Sequence, residues 1–260
     1  MIGVFDSGLG GLTVVREIFR QLPGRKVVYF GDTARTPYGT KSRQLIRKYA
    51  VEDAEFLLSE GAKIIVVACN TVSAHGVDEI RKRFDVPIFE VVTPAVRKAA
   101  SVSAGRVGVI GTRGTIGSGI YEKKMRQVAP DAQMFSGACP LFVPLVEEGW
   151  SHRPEALSIA KKYLRPLKLH KIDTLILGCT HYPFLRPVIS RAMGRGVRLI
   201  DPARETVRDL AEHLKSDPAL DAAARSGRNA YYVSDRTEHF AKLASKWLGR
   251  PVSVRSASVG

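Results

Sequence analysis

Lys63-Ile64-Ile65-Val66-Val67-Ala68-Cys69-Asn70-Thr71 is a run of branched apolar residues that ends in a cysteine and two small polar residues. A short continuous apolar run of this kind predicts a strand buried on both faces, as in a parallel sheet. Ligands of open α/β sheets bind at the carboxyl ends of the strands. We therefore expect Cys69 to lie at the rim of a binding site.

A second copy of this pattern occurs downstream, in Thr174-Leu175-Ile176-Leu177-Gly178-Cys179-Thr180-His181. It again predicts a buried strand that ends in a cysteine, and hydrogen-bonding side chains again follow the cysteine. Two thiols at equivalent strand ends suggest chemistry that needs two matched acid/base groups.

The rest of the chain alternates predicted strands with predicted helices, which is typical of βα units and a parallel sheet. Further strands are predicted over 2–5, 27–30, 86–92, 106–110, 132–135, 197–200 and 230–234, and helices over 13–22, 42–60, 73–84, 93–104, 154–167, 187–193, 202–215 and 237–248. We expect 141–149 to be irregular or briefly helical and the polar tail after Arg250 to be loose. The segment from Arg106 to Ile116 parallels that from Ile2 to Gly8, which indicates an internal duplication.

The composition is that of an ordinary globular chain of 260 residues, 45% hydrophobic and 25% charged. This length accommodates one large or two smaller domains with a sizeable core. No apolar run approaches the roughly 20 residues that a membrane span requires. Three cysteines without framework spacing fit free thiols in a reducing compartment. Because Met1 is followed at once by a predicted strand, we expect a cytoplasmic protein without a signal peptide.

The charge is less ordinary, since 40 lysines and arginines against 25 aspartates and glutamates give a net charge of +15. Such a balance attracts nucleic acid, anionic surfaces or acidic substrates. The basic residues are distributed over several predicted helices, without interleaved aromatic residues or a nucleic-acid motif. We therefore favour a solvated basic surface.

A glycine-rich turn, Asp6-Ser7-Gly8-Leu9-Gly10-Gly11, follows the first predicted strand. Its spacing does not match the dinucleotide fingerprint or a nucleophile elbow. Backbone N–H groups at the start of a helix suit a carboxylate or phosphate, although a purely structural turn explains the glycines equally well. The loop around Tyr38, between Pro37 and Gly39, is a candidate substrate wall, with simple packing of the ring as the alternative.

Three interpretations compete for Cys69 and Cys179. Packing explains one cysteine in a strand, but not two at matching polar strand ends. A metal or redox site is disfavoured because there is no C-x-x-C pair and no His/Cys cluster with zinc spacing. Acid/base catalysis fits best, because inversion of a stereocentre α to a carboxylate needs a base on one face and an acid on the other. Cys139, followed by Pro140, is interpreted as structural.

The chain resembles the bacterial glutamate racemases of the aspartate/glutamate racemase family in a set of motifs that spans nearly its whole length. The matching motifs are Asp6-Ser7-Gly8-Leu9-Gly10-Gly11-Leu12-Thr13-Val14, Gly31-Asp32-Thr33-Ala34-Arg35, Pro37-Tyr38-Gly39-Thr40-Lys41-Ser42, Val67-Ala68-Cys69-Asn70-Thr71, Cys139-Pro140-Leu141-Phe142-Val143-Pro144-Leu145-Val146-Glu147 and Gly178-Cys179-Thr180-His181-Tyr182-Pro183. The resemblance implies two similar parallel-sheet α/β domains related by pseudo-two-fold symmetry, with the active site between them. We expect residues 1–93 and 205–260 to form the first domain and 94–204 the second.

The resemblance also implies interconversion of L- and D-glutamate without cofactor or metal, which supplies D-glutamate for peptidoglycan. Cys69 and Cys179 then form the proton donor/acceptor pair, assisted by Asp6, Glu147 and His181. The expected substrate-binding residues are Asp6, Ser7, Tyr38, Gly39, Asn70, Thr71, Thr112, Thr115, Thr180 and His181.

The expected partners are glutamate and a second copy of the chain in a homodimer, without a membrane partner. Some glutamate racemases also bind and inhibit DNA gyrase, so a binding role toward gyrase or nucleic acid is the alternative from another functional class. We disfavour this alternative as the main function, because the intact pair Cys69 and Cys179 argues for catalysis.

Overall fold

The computed structural model describes residues 1–259, the side chain of residue 239 excepted. It divides into two compact units, one made of residues 1–91 together with the chain from residue 203 onward, and one made of residues 92–202. The second unit is therefore a continuous segment that interrupts the first.

The strands are β1 Ile2–Asp6, β2 Val27–Gly31, β3 Ile64–Val67, β4 Ile88–Glu90, β5 Arg106–Gly111, β6 Gln133–Ala138, β7 Thr174–Gly178, β8 Arg198–Ile200, β9 Ala230–Val233 and β10 Val254–Ser256. The helices are α1 Leu12–Gln21, α2 Arg43–Ser59, α3 Asn70–His75, α4 Val77–Arg83, α5 Val92–Val102, α6 Arg113–Gly117, α7 Ile120–Val128, α8 Phe142–Glu147, α9 Pro154–Leu169, α10 Arg186–Met193, α11 Pro202–Ser216, α12 Pro218–Arg225 and α13 Glu238–Leu248. Short 3₁₀ turns at Thr33–Arg35, Tyr38–Thr40 and Tyr182–Leu185 complete the regular structure. Among the described residues, no helix has both the length and the apolar character needed to cross a membrane.

The first unit contains a six-stranded parallel sheet in the order β10-β9-β2-β1-β3-β4. Strands β1, β2 and β3 are buried along their whole lengths, as the continuous apolar runs predicted. In the register of this sheet, Asp6 lies beside Gly31 and Phe5 beside Val67. The carboxyl ends of these three neighbouring strands therefore lie at one edge of the sheet.

The second unit contains a four-stranded parallel sheet in the order β6-β5-β7-β8. This is the order of β2-β1-β3-β4, so the two sheets share one connectivity, as the predicted duplication requires. Gly111 pairs with Gly178 at the ends of β5 and β7. A Cβ atom on Gly178 would lie 2.7 Å from the carbonyl oxygen of Ile110, so only glycine fits this close approach.

The chain end differs from its prediction. The tail after Arg250 is not loose, because β10 pairs with β9 at the edge of the first sheet and the N–H of Ala257 donates to the carbonyl of Val233 at 2.9 Å. Val254 is buried while its strand neighbours are exposed, which is the pattern of an edge strand. A strand of three residues with a single apolar side chain gives too weak a sequence pattern to be predicted.

Several helices also differ from the prediction, and both α6 Arg113–Gly117 and α7 Ile120–Val128 were not predicted. The helix after the first cysteine begins at Asn70 rather than Ser73 and breaks at Gly76, because small polar side chains tolerate the first helical turn. Helix α12 was not predicted, although Asp217 caps it by accepting from the N–H of Leu220 at 2.9 Å and Pro218 occupies its first turn. An Asp-Pro pair before an alanine-rich stretch is a signal that could have identified this helix.

Candidate active site

In the first unit, the ends of β1 and β3 bring Ser7 and Cys69 together. Cys69 directly precedes the helical residues of α3, and its thiol donates to the hydroxyl of Ser7 across 3.6 Å. The carboxylate of Asp6 accepts the N–H of Gly8 at 3.0 Å, which holds the glycine-rich turn against the end of its own strand. Asp6, Ser7 and Cys69 thus occupy adjacent strand ends, as expected from sequence.

The surroundings of Cys69 favour its protonated form. Burial, followed by the negative charge of Asp6, raises the pKa of the Cys69 thiol to about 12. Hydrogen bonds from the backbone N–H of Val72 and from Ser7 favour the thiolate, but they do not outweigh burial. Cys69 is therefore a thiol at neutral pH and is suited to donate a proton.

Asn70 and Thr71 form the first turn of α3 and are both buried. Backbone N–H groups in the first turn of a helix have no intrahelical acceptor. With these side chains, the start of α3 offers several donors beside the Cys69 sulfur, a suitable environment for a carboxylate.

Tyr38 is placed differently from the expectation of a substrate wall. Its side chain is buried, and its hydroxyl hydrogen-bonds to the carboxylates of Asp32 and Asp53, the second at 3.1 Å. Arg35 binds the same two carboxylates and also pairs with Glu52. The tyrosine ring thus anchors the loop from within, and Gly39 beside it is only half-buried.

This anchor contains a residue that the sequence analysis missed. Asp53 lies on the buried stripe of α2 with Ile46, Ala50 and Leu57. An aspartate in an otherwise apolar helical stripe predicts a buried polar partner, and this signal was available in the sequence.

In the second unit, β7 and α8 bring Cys179, His181 and Glu147 together. The Nδ1 atom of His181 lies 3.9 Å from the Cys179 sulfur, and its Nε2 atom lies 2.9 Å from Oε1 of Glu147. Burial lowers the pKa of His181, but the hydrogen bonds and negative charges of Cys179 and Glu147 outweigh it and raise the pKa to about 10. The imidazole is therefore protonated at neutral pH, and its positive charge lies beside the Cys179 sulfur.

Thr112 and Thr115 lie at the end of β5, the strand next to β7. Thr112 caps α6 by accepting the N–H of Thr115 at 3.3 Å, and the two hydroxyls are 3.1 Å apart. Thr180 follows Cys179 directly and is buried. The second unit thus gathers hydroxyl groups around its cysteine, as the first unit gathers Ser7 and Thr71.

Cys139 follows β6 and is fully buried. Burial, followed by the negative charge of Cys179, raises the pKa of the Cys139 thiol to about 12, and its sulfur lies 3.8 Å from the carbonyl of Gly137. Its backbone carbonyl accepts the hydroxyl of Tyr182 at 2.9 Å. Within residues 1–259, no group of three histidine, cysteine or carboxylate residues is arranged to hold a metal ion.

Comparison with known proteins identifies the family to which the chain belongs. Residues 2–210 match the sequence profile of the Asp/Glu/Hydantoin racemase family. A glutamate racemase of Geobacter metallireducens is 46% identical over 249 residues, which cover 95% of this chain and 92% of that protein.

Solved structures give the same result. A glutamate racemase of Bacillus anthracis, isoform RacE1, has a TM-score of 0.94 and 37% identity, covering 99% of this chain and 97% of that chain. A glutamate racemase of Francisella tularensis in complex with D-glutamate has a TM-score of 0.91 and 36% identity, with the same coverage of 99% and 97%.

Proposed function

Because the chain belongs to the Asp/Glu/Hydantoin racemase family, we propose that it is a glutamate racemase that interconverts L- and D-glutamate through Cys69 and Cys179. The observation that carries this proposal is the contrast between the two thiols. Cys69 is surrounded by groups that keep it protonated, whereas Cys179 lies beside a protonated histidine. One acid and one base are what the inversion of a carbon centre requires.

The reaction begins with the thiolate of Cys179. It removes the α-proton of L-glutamate, and the thiol of Cys69 delivers a proton to the opposite face of the carbanion, which gives D-glutamate. The C–H bond of the substrate breaks as an S–H bond forms at Cys179, and the S–H bond of Cys69 breaks as the new C–H bond forms. The roles of the cysteines reverse for D-glutamate.

His181 and Glu147 assist Cys179. The imidazolium stabilises the thiolate, and Glu147 holds the ring through Nε2 at 2.9 Å. Asp6 acts on Cys69, because its negative charge favours the thiol over the thiolate. Asp6 thus favours the thiol at Cys69, while His181 and Glu147 place a positive charge beside Cys179.

Hydrogen-bond donors beside each cysteine bind the two carboxylates of glutamate. These donors are Ser7, Asn70, Thr71, Thr112, Thr115 and Thr180, while His181, whose two ring nitrogens contact Cys179 and Glu147, contributes its positive charge. Because the hydroxyl of Tyr38 is taken by two buried carboxylates, the segment Tyr38–Gly39 contributes through its backbone. The relative from Francisella tularensis, solved with D-glutamate, supports the choice of substrate.

The proposed role is the supply of D-glutamate for peptidoglycan in the cytoplasm, by an enzyme that needs no cofactor and acts as a homodimer. The test is an assay of the purified chain on L-glutamate, D-glutamate, L-aspartate and a hydantoin in deuterated water. We expect turnover of glutamate, with deuterium entering each enantiomer only as it becomes the other. A kcat/KM for aspartate equal to or above that for glutamate would contradict the proposal, as would the absence of racemisation.

A further inference from the structure

The excess positive charge is concentrated in the second unit. Within residues 92–202, lysines and arginines outnumber aspartates and glutamates by more than two to one, whereas the rest of the chain is much closer to balance. Most of the excess positive charge of the chain therefore belongs to the second unit.

Much of this charge lies on one face, formed by α9 and α10. We define the basic face by the exposed residues Lys161, Lys162, Arg165, Lys168, Arg186 and Arg191. Lys168 connects the two helices, since its Nζ donates to the carbonyl of Ala192 at 3.3 Å. Among the described residues, none of these six side chains forms an ion pair with a carboxylate. Their charges are therefore presented to whatever approaches the face.

Large apolar side chains are exposed at the end of α9 and on either side of the neighbouring helix α8. Leu169, at the end of α9, is 71% exposed, while Leu141 and Trp150 are 49% and 47% exposed. A cleft of about 240 Å³ between α8 and α9 is lined by Leu141, Pro144, Leu145, Glu148, Trp150 and Ile159. Exposed apolar groups that cluster in this way mark an interaction surface.

The spacing of residues along α9 makes the two features continuous. Ile159 lines the cleft, and at 100° per residue Pro166 lies on the same side of the helix, followed around it by Lys162 and Leu169 and then by Arg165 and Lys161. The helix thus passes from an apolar edge to a basic edge within its exposed half. Glu148 and Glu155, the acidic residues here, lie at the cleft and at the N-terminal end of α9.

We propose that this surface docks on an anionic lipid bilayer, with Trp150 and Leu169 entering the interface and the basic face lying against the headgroups. Lysine and arginine around exposed tryptophan and leucine are the pattern of peripheral membrane binding. A nucleic acid would use the charges but not the apolar side chains. A second copy seated here would bring two sets of like charges together. Hydropathy along the chain does not reveal such a surface, because its residues are separated in sequence.

The test uses the full chain and vesicles of phosphatidylcholine alone or mixed equally with phosphatidylglycerol. We expect cosedimentation with the mixed vesicles at low salt, weaker binding at high salt, and little binding to phosphatidylcholine. The double variant K161E/R165E should bind the mixed vesicles about tenfold or more weakly. Its matched control is K242E/K246E on α13, which changes the same charge at the same four-residue spacing on exposed lysines.

Fluorescence gives a second readout. The chain has two tryptophans, and Trp247 is buried, so a blue shift on addition of mixed vesicles should come from Trp150 and disappear in W150F. Equal loss of binding in both charge variants, equal binding to neutral vesicles, or unchanged Trp150 emission at saturation would overturn the proposal. So would tight binding of duplex DNA that K161E/R165E abolishes while vesicles stay unbound. Glutamate turnover should be unchanged in K161E/R165E, so this test is separate from that of the proposed reaction.

Discussion

The hydroxyl of Tyr38 lies 3.1 Å from Oδ2 of Asp53, although its one proton is already donated to Asp32. One tyrosine proton cannot serve both carboxyl groups, so we expect a further proton on Asp53, whose other oxygen accepts from Arg35 at 3.1 Å. Burial, followed by the charge of Asp32, raises the pKa of Asp53 well above its usual range, in agreement with this count of protons. We therefore expect Asp53 to be the neutral acid of the pair, whereas Asp32 accepts hydrogen bonds from Arg35, Tyr38 and Ser234.

This relationship predicts that replacing each aspartate by asparagine has unequal effects on the free energy of unfolding. Asp53→Asn keeps one donor and one acceptor in place, so unfolding free energy and turnover should stay within about 1 kcal/mol and a few-fold of the parent. Asp32 accepts hydrogen bonds from Tyr38, Arg35 and Ser234. Because the amide of Asp32→Asn can accept through only one of its two terminal atoms, this variant should lose about 2–4 kcal/mol of unfolding free energy. Urea unfolding of the two variants measures the difference, and equal losses would contradict the assignment of the proton.

The division of labour between the cysteines is testable with substrates that lose a leaving group after one proton abstraction. Racemisation should fall by about 10²-fold or more in either Cys→Ser variant, because a hydroxyl is a much weaker acid/base here. Cys179→Ser should lose elimination mainly from the L-isomer, and Cys69→Ser mainly from the D-isomer. Reversed preferences would leave the two-thiol mechanism intact but exchange the faces, and near-normal racemisation in both variants would refute it.

The pKa of His181, raised to about 10, predicts a pH-dependent contribution to stability. Because the folded-state pKa lies above the usual value of about 6.5, the stabilisation is fully present below that value and is lost as pH rises through about 10. Glu147→Gln removes part of the cause of this shift, so it should lower the melting temperature more at pH 7 than at pH 10.5. Thermal melts across this range measure the effect, and a loss independent of pH would show that Glu147 acts through packing alone.

Gly178 offers a test of how strictly the second cysteine is positioned. A methyl group there would lie 2.7 Å from a backbone oxygen of β5, so β7 must shift, at a cost of about 1–3 kcal/mol. Gly137→Ala is the matched control, because its Cβ would make only ordinary contacts, the nearest at 3.7 Å. We expect Gly178→Ala to lower kcat as well as stability, since the moved strand carries Cys179, while Gly137→Ala leaves kcat close to that of the parent.

The sequence predicted those features that depend on local pattern. Buried strands such as Ile64–Val67 and the position of Cys69 follow from apolar runs and the geometry of parallel sheets. The contact between His181 and Glu147 joins residues far apart in the chain, so only the resemblance to a family suggested it. The inward direction of the Tyr38 side chain depends on two carboxylates from other elements, which no local pattern specifies.

The interrupted path of the first unit has a consequence for synthesis on the ribosome. Residues 92–202 emerge as one uninterrupted segment, so their four-stranded sheet can close while the remainder is still being translated. The outer edge of β2 stays unpaired until β9 has been synthesised, and the outer edge of β9 stays unpaired until β10 has been synthesised. Until β9 and β10 leave the exit tunnel, the nascent chain carries an open strand edge that a chaperone or a neighbouring polypeptide can reach. The part of the molecule that is begun first is therefore completed last.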